Sequence, residues 1–339
     1  MANILMPGMP ILRARPEVND SGGIELHTPR GVFDVDPVDG LSRDELLRVL
    51  RHLDGRSGIS ELARAVDIDA DRLKAIIGPA VTMGLVDDLS APEARSGLAS
   101  LSRVEDNLNI LVDELIFQGP FWRAVSERPE SLPHNVFYGF GLENWFFLYN
   151  ETLFDGPVVS HPTSAALRAM LQEFNFEEHR HDDIVLRAFA PLGITKEQLL
   201  RARPLPTTIA LINMLAWWSR TDPLFFMATI GILEGRLDTD GDGENGPIYD
   251  SFLEACDRVG VRSDFVQPLR AHAKVNAGHD HGAVSRELFA EVVGVDKEAE
   301  QRWRGKTHLF VETYAAFFNG VLDYYSQPDR PLLRIAGVE

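Results

Sequence analysis

The chain has 339 residues and a mass of 37.8 kDa, longer than one typical domain, so two domains are expected. Its 45% apolar and 25% charged residues are the composition of a globular protein and exclude wholesale disorder. A net charge of −18, from 33 basic and 51 acidic side chains, argues against a nucleic-acid partner, because phosphate binding needs a basic surface.

The single cysteine, Cys256, rules out an intrachain disulfide and reads as a core or boundary residue. The longest apolar stretches, such as Pro223–Leu233, fall short of the ~18 residues a membrane span needs. No basic residue precedes the apolar part of the N-terminus, and Pro7 and Pro10 interrupt it, so it does not read as a signal peptide. A cytoplasmic protein is the expectation.

Residues 1–21 carry prolines without periodicity and read as a loose arm. From Gly22 the pattern sharpens. Ile24 to His27 alternates, Pro29-Arg30-Gly31 is a turn signal, and Val32 to Val35 alternates again, which predicts a hairpin. Ser42 and Glu45 form a capping box for a helix carrying Leu46, Leu47, Val49, Leu50 and Leu53. A short helix follows with Ile59, Leu62, Ala63 and Val66 on one face. Asp69 then caps a third, bearing Leu73, Ile76, Ile77 and Val81, and Leu85-Val86-Asp87 reads as a closing strand. Together, residues 22–89 predict a small α+β winged helix-turn-helix domain.

Residues 90–102 are small and polar and read as a linker. Beyond it, residues 103–339 read almost wholly helical, with segments near 103–117, 142–154, 164–190, 196–203, 207–219, 222–236, 247–259, 264–292, 296–302 and 306–326. The fold class is therefore mainly α, a helical bundle behind a small α+β domain.

Three windows in the bundle carry chemistry. In Phe176–Asp183, Glu178 and His181 are three apart on a predicted helix, so both can face one interior. Glu-x-x-His is the ligand pattern of bundle metal sites, and its oxygen and nitrogen donors suit iron or manganese. A solvated charge run is the other reading. In His272–Gly282, residues His272, Asn276 and His279 fall on one helical stripe, with His281 off it. A polar helix with incidental histidines explains that window equally. Glu234 ends eleven nearly uncharged residues from Pro223, where a carboxylate needs a partner or a cation unless it simply opens the acidic loop behind it. That loop, Asp238 to Glu244, imitates the start of a calcium site but places Tyr249 at the twelfth position, and reads as solvated.

This arrangement resembles the haem-oxygenase-like diiron oxidases and oxygenases, relatives of thiaminase and of the oxidase in pyrroloquinoline quinone synthesis. The resemblance covers roughly residues 103–328 and includes the stretch from Ile184 to Ile194. It implies a haem-oxygenase-like bundle, two Fe²⁺ ions, O₂ as co-substrate, and Glu178, His181, Glu234, His272, Asn276 and His279 as the ligand set. Where the family has Asp, this chain has Asn276. One negative charge is thereby missing, so the second iron is expected to bind weakly, or Asp280 or Glu177 to compensate; a mononuclear or inactive site is the alternative. Trp145, Phe146, Phe225 and Phe226 are expected either to wall the pocket or to be plain core.

The hairpin, the three helices and the Leu53-Asp54-Gly55 and Ile59-Ser60-Glu61-Leu62-Ala63 stretches resemble the pyrroloquinoline quinone peptide chaperone. That module is a recognition element that holds the leader of a ribosomally made precursor peptide. Over residues 22–90 eight basic side chains face thirteen acidic ones, a net −5, which disfavours the rival reading of DNA binding and leaves an interaction or dimerisation module as the other one. The resemblances imply an iron-dependent oxidoreductase that modifies a residue of a precursor peptide in natural-product biosynthesis. Two alternatives are an oxidase of a free amino acid or other small molecule, and a metal-free peptide-binding scaffold. A homodimer is allowed.

Overall fold

A computed structural model describes residues 6–19, 21–35, 41–90, 94–161, 164–233, 247–278 and 281–335; at 231–233, 247–249, 276–278 and 281–283 it describes the backbone alone. The chain forms two compact units, residues 1–109 with 286–305 and residues 110–285 with 306–339.

In the first unit, β2 (Arg15–Val18), β3 (Ile24–Thr28) and β4 (Gly31–Val35) form an antiparallel sheet in the order β2-β3-β4. Leu26 stands opposite Phe33, and Thr28 opposite Gly31 across the turn at Pro29-Arg30. Helices α1 (Arg43–His52), α2 (Ile59–Val66) and α3 (Ala70–Thr82) follow. Ser42 and Glu45 make both halves of the capping box on α1, and Asp69 accepts from the amides of Asp71 and Arg72 on α3. Ile24, Leu26, Leu46, Leu50, Leu62, Val66, Leu73 and Ile77 are buried in one core, as their spacing predicts.

Two expectations change here. The N-terminal arm is not loose over its described part, because β1 (Pro10–Leu12) and β2 are paired strands. Strand β5 (Val86–Asp88) pairs with β1 and not with the hairpin. Three- and four-residue strands that each contain a proline show no alternation from which to infer them. The expected linker is also structured: β6 (Ala94–Arg95) pairs with β7 (Val295–Asp296), and α4 (Gly97–Val112) begins inside it. Its small residues serve close packing, since a Cβ on Gly97 would sit 2.2 Å from the Phe289 carbonyl oxygen. Asp106 on α4, 4% exposed, receives Arg13 at 2.7 Å and Arg30 at 2.8 Å, and Arg30 also donates to the Met83 and Gly84 carbonyls. The second half of helix α15 (His281–Glu291), from Arg286, and the start of α16 (Lys297–Tyr325) complete this unit. The break expected near residue 303 is absent, because Gly305 costs a helix only about 1 kcal/mol.

The second unit is helical. α4 runs on through a π-helical segment, Asp113–Phe117, to α5 (Pro120–Glu127), which the periodicity did not predict, and to α6 (His134–Tyr149). Then come a 3-10 turn, Glu151–Leu153, and α7 (Asp155–Val158), α8 (Ala165–Glu177), α9 (His181–Leu186) and α10 (Lys196–Arg201). α11 (Pro206–Thr221), α12 (Pro223–Leu233), α13 (Pro247–Val259) and α14 (Ser263–Gly278) follow, with the second half of α16. Helix α6 is apolar on all sides, the signature of a central helix, and buries Phe137, Phe140, Trp145 and Phe146. Close approach needs its glycines: a Cβ on Gly139 would lie 2.2 Å from the Tyr325 ring, and one on Gly141 would lie 2.7 Å from Phe265. Helix α9 packs against both α6 and α14, which sets the stage for the site. No described helix is long and apolar enough to cross a membrane.

Glu143, fully buried on α6, accepts from the Leu205 amide at 2.9 Å, the Thr208 hydroxyl at 2.5 Å and the Tyr325 hydroxyl at 2.8 Å. Burial pushes its carboxyl above the usual range, and these three donors oppose the shift. Glu143→Ala strips all three of their acceptor and is expected to cost about 3 kcal/mol or more. Tyr325→Phe, which removes one donor, is expected to cost about 1–2 kcal/mol. Urea titrations check both, and equal costs would contradict the shared-acceptor account.

Candidate metal centre

The sequence predicts Glu178 and His181 on one continuous helix. The structure instead breaks the helix between them. Glu178 caps the C-terminus of α8, Arg180 adopts a left-handed conformation with φ of 77°, and His181 opens α9. The left-handed region costs a non-glycine residue about 1–2 kcal/mol. Arg180 itself is solvent-facing and paired with Asp183 at 2.7 Å. The turn directs both flanking side chains inward, each 4% exposed, and places His181 Nδ1 2.8 Å from Glu178 Oε2.

His272, on α14, meets them from the other side. Its ring centroid lies 5.3 Å from that of His181, edge to face at 87°. It is 1% exposed, and burial, with a smaller contribution from the charge of His181, pushes its pKa down to about 3. The imidazole is therefore neutral at physiological pH, the form in which histidine binds metals.

Glu151, from the 3-10 turn after α6, joins the cluster and was not anticipated. One ligand atom each of Glu151, Glu178 and His181 lies within 4.8 Å of the others. Glu151 falls in Tyr149-Asn150-Glu151-Thr152, with no histidine at helical spacing, and its approach to α9 is a matter of tertiary folding. It adds a second carboxylate to this cluster, at a position other than Glu177 or Asp280, where the sequence sought one. Glu177 stands on the half-exposed side of α8, and Asp280 lies outside the described residues. Glu234 and His279 also lie outside them, as do the side chain of Asn276 and the acidic loop from Asp238 to Glu244.

A cavity of about 320 Å³ reaches Glu151 and Glu178 from the surface. Tyr149 and Asp155 line it, with Arg180, Asp183 and Lys196 near its rim. None of the four aromatics considered as pocket walls lines it; all are core. Trp145 stacks on Tyr149, Phe146 packs on Trp145, Phe225 on Trp218 and Phe226 on Phe154. Cys256 is likewise buried, and burial raises its thiol pKa.

Two buried carboxylates beside imidazoles fit a divalent cation. Their oxygen and nitrogen donors suit iron, manganese or zinc.

No family model and no curated protein matches the chain. Solved structures do. A domain of unknown function with a haem-oxygenase-like fold from Shewanella denitrificans is 18% identical, with a TM-score of 0.51, over 68% of this chain and 97% of that one. A TenA homologue from Pseudomonas syringae pv. tomato is 14% identical with a TM-score of 0.48, over 67% of this chain and 91% of that one. The first likeness carries the argument, and it concerns fold: this chain is mainly helical, with a haem-oxygenase-like bundle and a small strand-containing N-terminal domain.

The His272 shift has a stability consequence. Between pH 6.5 and about 3 the unfolded chain binds a proton at this residue and the folded chain does not, so stability rises with pH across that window. Metal-free protein is expected to lose up to about 1.4 kcal/mol per pH unit from this group on acidification. His272→Gln, which does not titrate, should flatten that part of the profile in denaturant titrations at stepped pH.

Proposed function

We propose that the helical unit is a non-haem diiron oxidase or oxygenase, and that it modifies a residue of a ribosomally synthesised precursor peptide. The observation that carries the reading is the buried meeting of Glu151, Glu178, His181 and His272 in a bundle of haem-oxygenase-like fold. Glu234, Asn276 and His279 would complete the ligand set. Iron held there would supply the redox chemistry that activates O₂.

The chain's own residues divide the remaining work. Glu151 and Glu178 balance the metal charge, and neutral His272 offers a nitrogen lone pair without a competing proton. The cavity beside Glu151 and Glu178 admits one side chain or a free amino acid, which also keeps the small-molecule reading in view. Asp183 engages both Arg180, at 2.7 Å, and Lys196, at 3.4 Å, and so holds the two cations of the rim in place.

Leader binding is proposed for the N-terminal domain, where β4 is an edge strand of the sheet. An edge strand offers unpaired backbone groups to an added peptide strand, and its alternate side chains give specificity.

Protein produced with iron supplementation is expected to carry about two Fe per chain, consistent with a two-metal site. His272→Ala and Glu151→Ala should each lose at least half of that iron, as counted by elemental analysis. No iron, or iron unaffected by both changes, would sink the diiron assignment. For the peptide, hydrogen exchange of the full chain should slow over residues 31–35 when a precursor peptide encoded beside the gene is added. Unchanged exchange there with every such peptide favours the small-molecule substrate.

A further inference from the structure

Far from the acidic character of the whole chain stands one cationic cleft. In the first unit, α4 and the start of α16 each turn an i, i+3, i+4, i+7 face toward a cavity of about 410 Å³. The α4 face carries Ser100, Arg103, Val104 and Asn107, and the α16 face carries Lys297, Glu300, Gln301 and Arg304.

The floor is electrically closed. Arg95 donates to Asp87 at 3.0 Å and to Glu300 at 2.7 Å, Ser100 donates to the other Glu300 oxygen at 2.9 Å, and Arg103 pairs with Asp87 at 2.5 Å. Two guanidinium groups thus meet two carboxylates. Lys297 and Arg304 are left over. Both are exposed, and neither has an ion-pair partner among the described residues. Seven helical positions set them about 10 Å apart along the axis. The side-chain amides of Asn107 and Gln301 lie in the same cleft. Beneath them Trp303 and Val104 are buried, so the walls are rigid and the donors project from a fixed base.

We infer that this cleft is a binding site for a small doubly charged oxyanion, a phosphate ester or a dicarboxylate, gripped by Lys297 and Arg304 and oriented by Asn107 and Gln301. Two uncompensated cations match a dianion, and their spacing lets each engage a different oxygen of it. A chain of net −18 repels anions at long range, so a concave surface that presents two unpaired cations selects for anions locally. The inference is independent of the metal centre and of the proposed reaction.

The test is calorimetric titration of the full chain at low ionic strength with inorganic phosphate, pyrophosphate and succinate. Saturable binding of at least one probe is expected, and the better probe identifies the chemical source as phosphate or carboxylate. Lys297→Ala/Arg304→Ala should weaken it at least tenfold, both side chains being exposed. Arg51→Ala/Arg64→Ala, which removes the same charge elsewhere on the surface, should leave it within twofold. Glu151→Gln should also leave it unchanged, which separates this cleft from anion binding at a metal. Absence of saturable binding, or equal loss in the two double variants, would overturn the assignment.

Discussion

Buried carboxylates must be compensated, and the chain answers that requirement with three different chemistries. Asp106 is met by two guanidinium groups, so charge cancels charge. Glu143 is met by an amide and two hydroxyls, so dipoles replace water without adding charge, and its pKa rises. Glu151 and Glu178 are met by imidazoles, one of them held neutral. The first two solutions are complete within the chain. The third brings two carboxylates together with imidazoles, a donor set of the kind that can hold a metal.

The helical unit is organised by α6. A helix that is apolar on all sides cannot lie at a surface, so other elements must enclose it. Gly139 and Gly141 let Tyr325 and Phe265 come against its backbone. Through Phe265 this fixes α14, which carries His272, and α9 packs in the angle between the two helices. The end of α6 then leads directly into the turn that presents Glu151. The packing of one central helix thus brings Glu151, His181 and His272 into one neighbourhood.

Legibility from sequence followed the range of the interaction involved. Caps at Ser42 and Asp69 and the apolar spacing of Leu62, Leu73 and Ile77 are local, and they read correctly. Residue type and spacing also singled out Glu178, His181 and His272, which the fold does bring together. The helix break at Arg180 was not legible, because arginine gives no signal for a left-handed turn and the charged run continues across it. Glu151 and β1 were missed for a different reason: each acquires meaning only from a partner distant in sequence, α9 for one and β5 for the other. The small residues of 90–102 misled because smallness serves both flexible segments and tight packing, and here Gly97 is tight against Phe289.

The strand-containing unit is assembled from two separated stretches of chain, residues 1–109 and 286–305. β6 has its partner in β7, and Gly97 sits against the carbonyl of Phe289, so the second stretch supplies contacts the first cannot replace. Vectorial synthesis from the ribosome therefore delivers the three-helix core early but withholds its last piece until most of the polypeptide has been made. Between those moments the growing unit carries an open flank, and residues 110–285 of the helical unit are translated before that flank closes. Completion of the N-terminal unit thereby reports that residues 110–285, the larger part of the bundle, have already been made, with residues 306–339 still to follow.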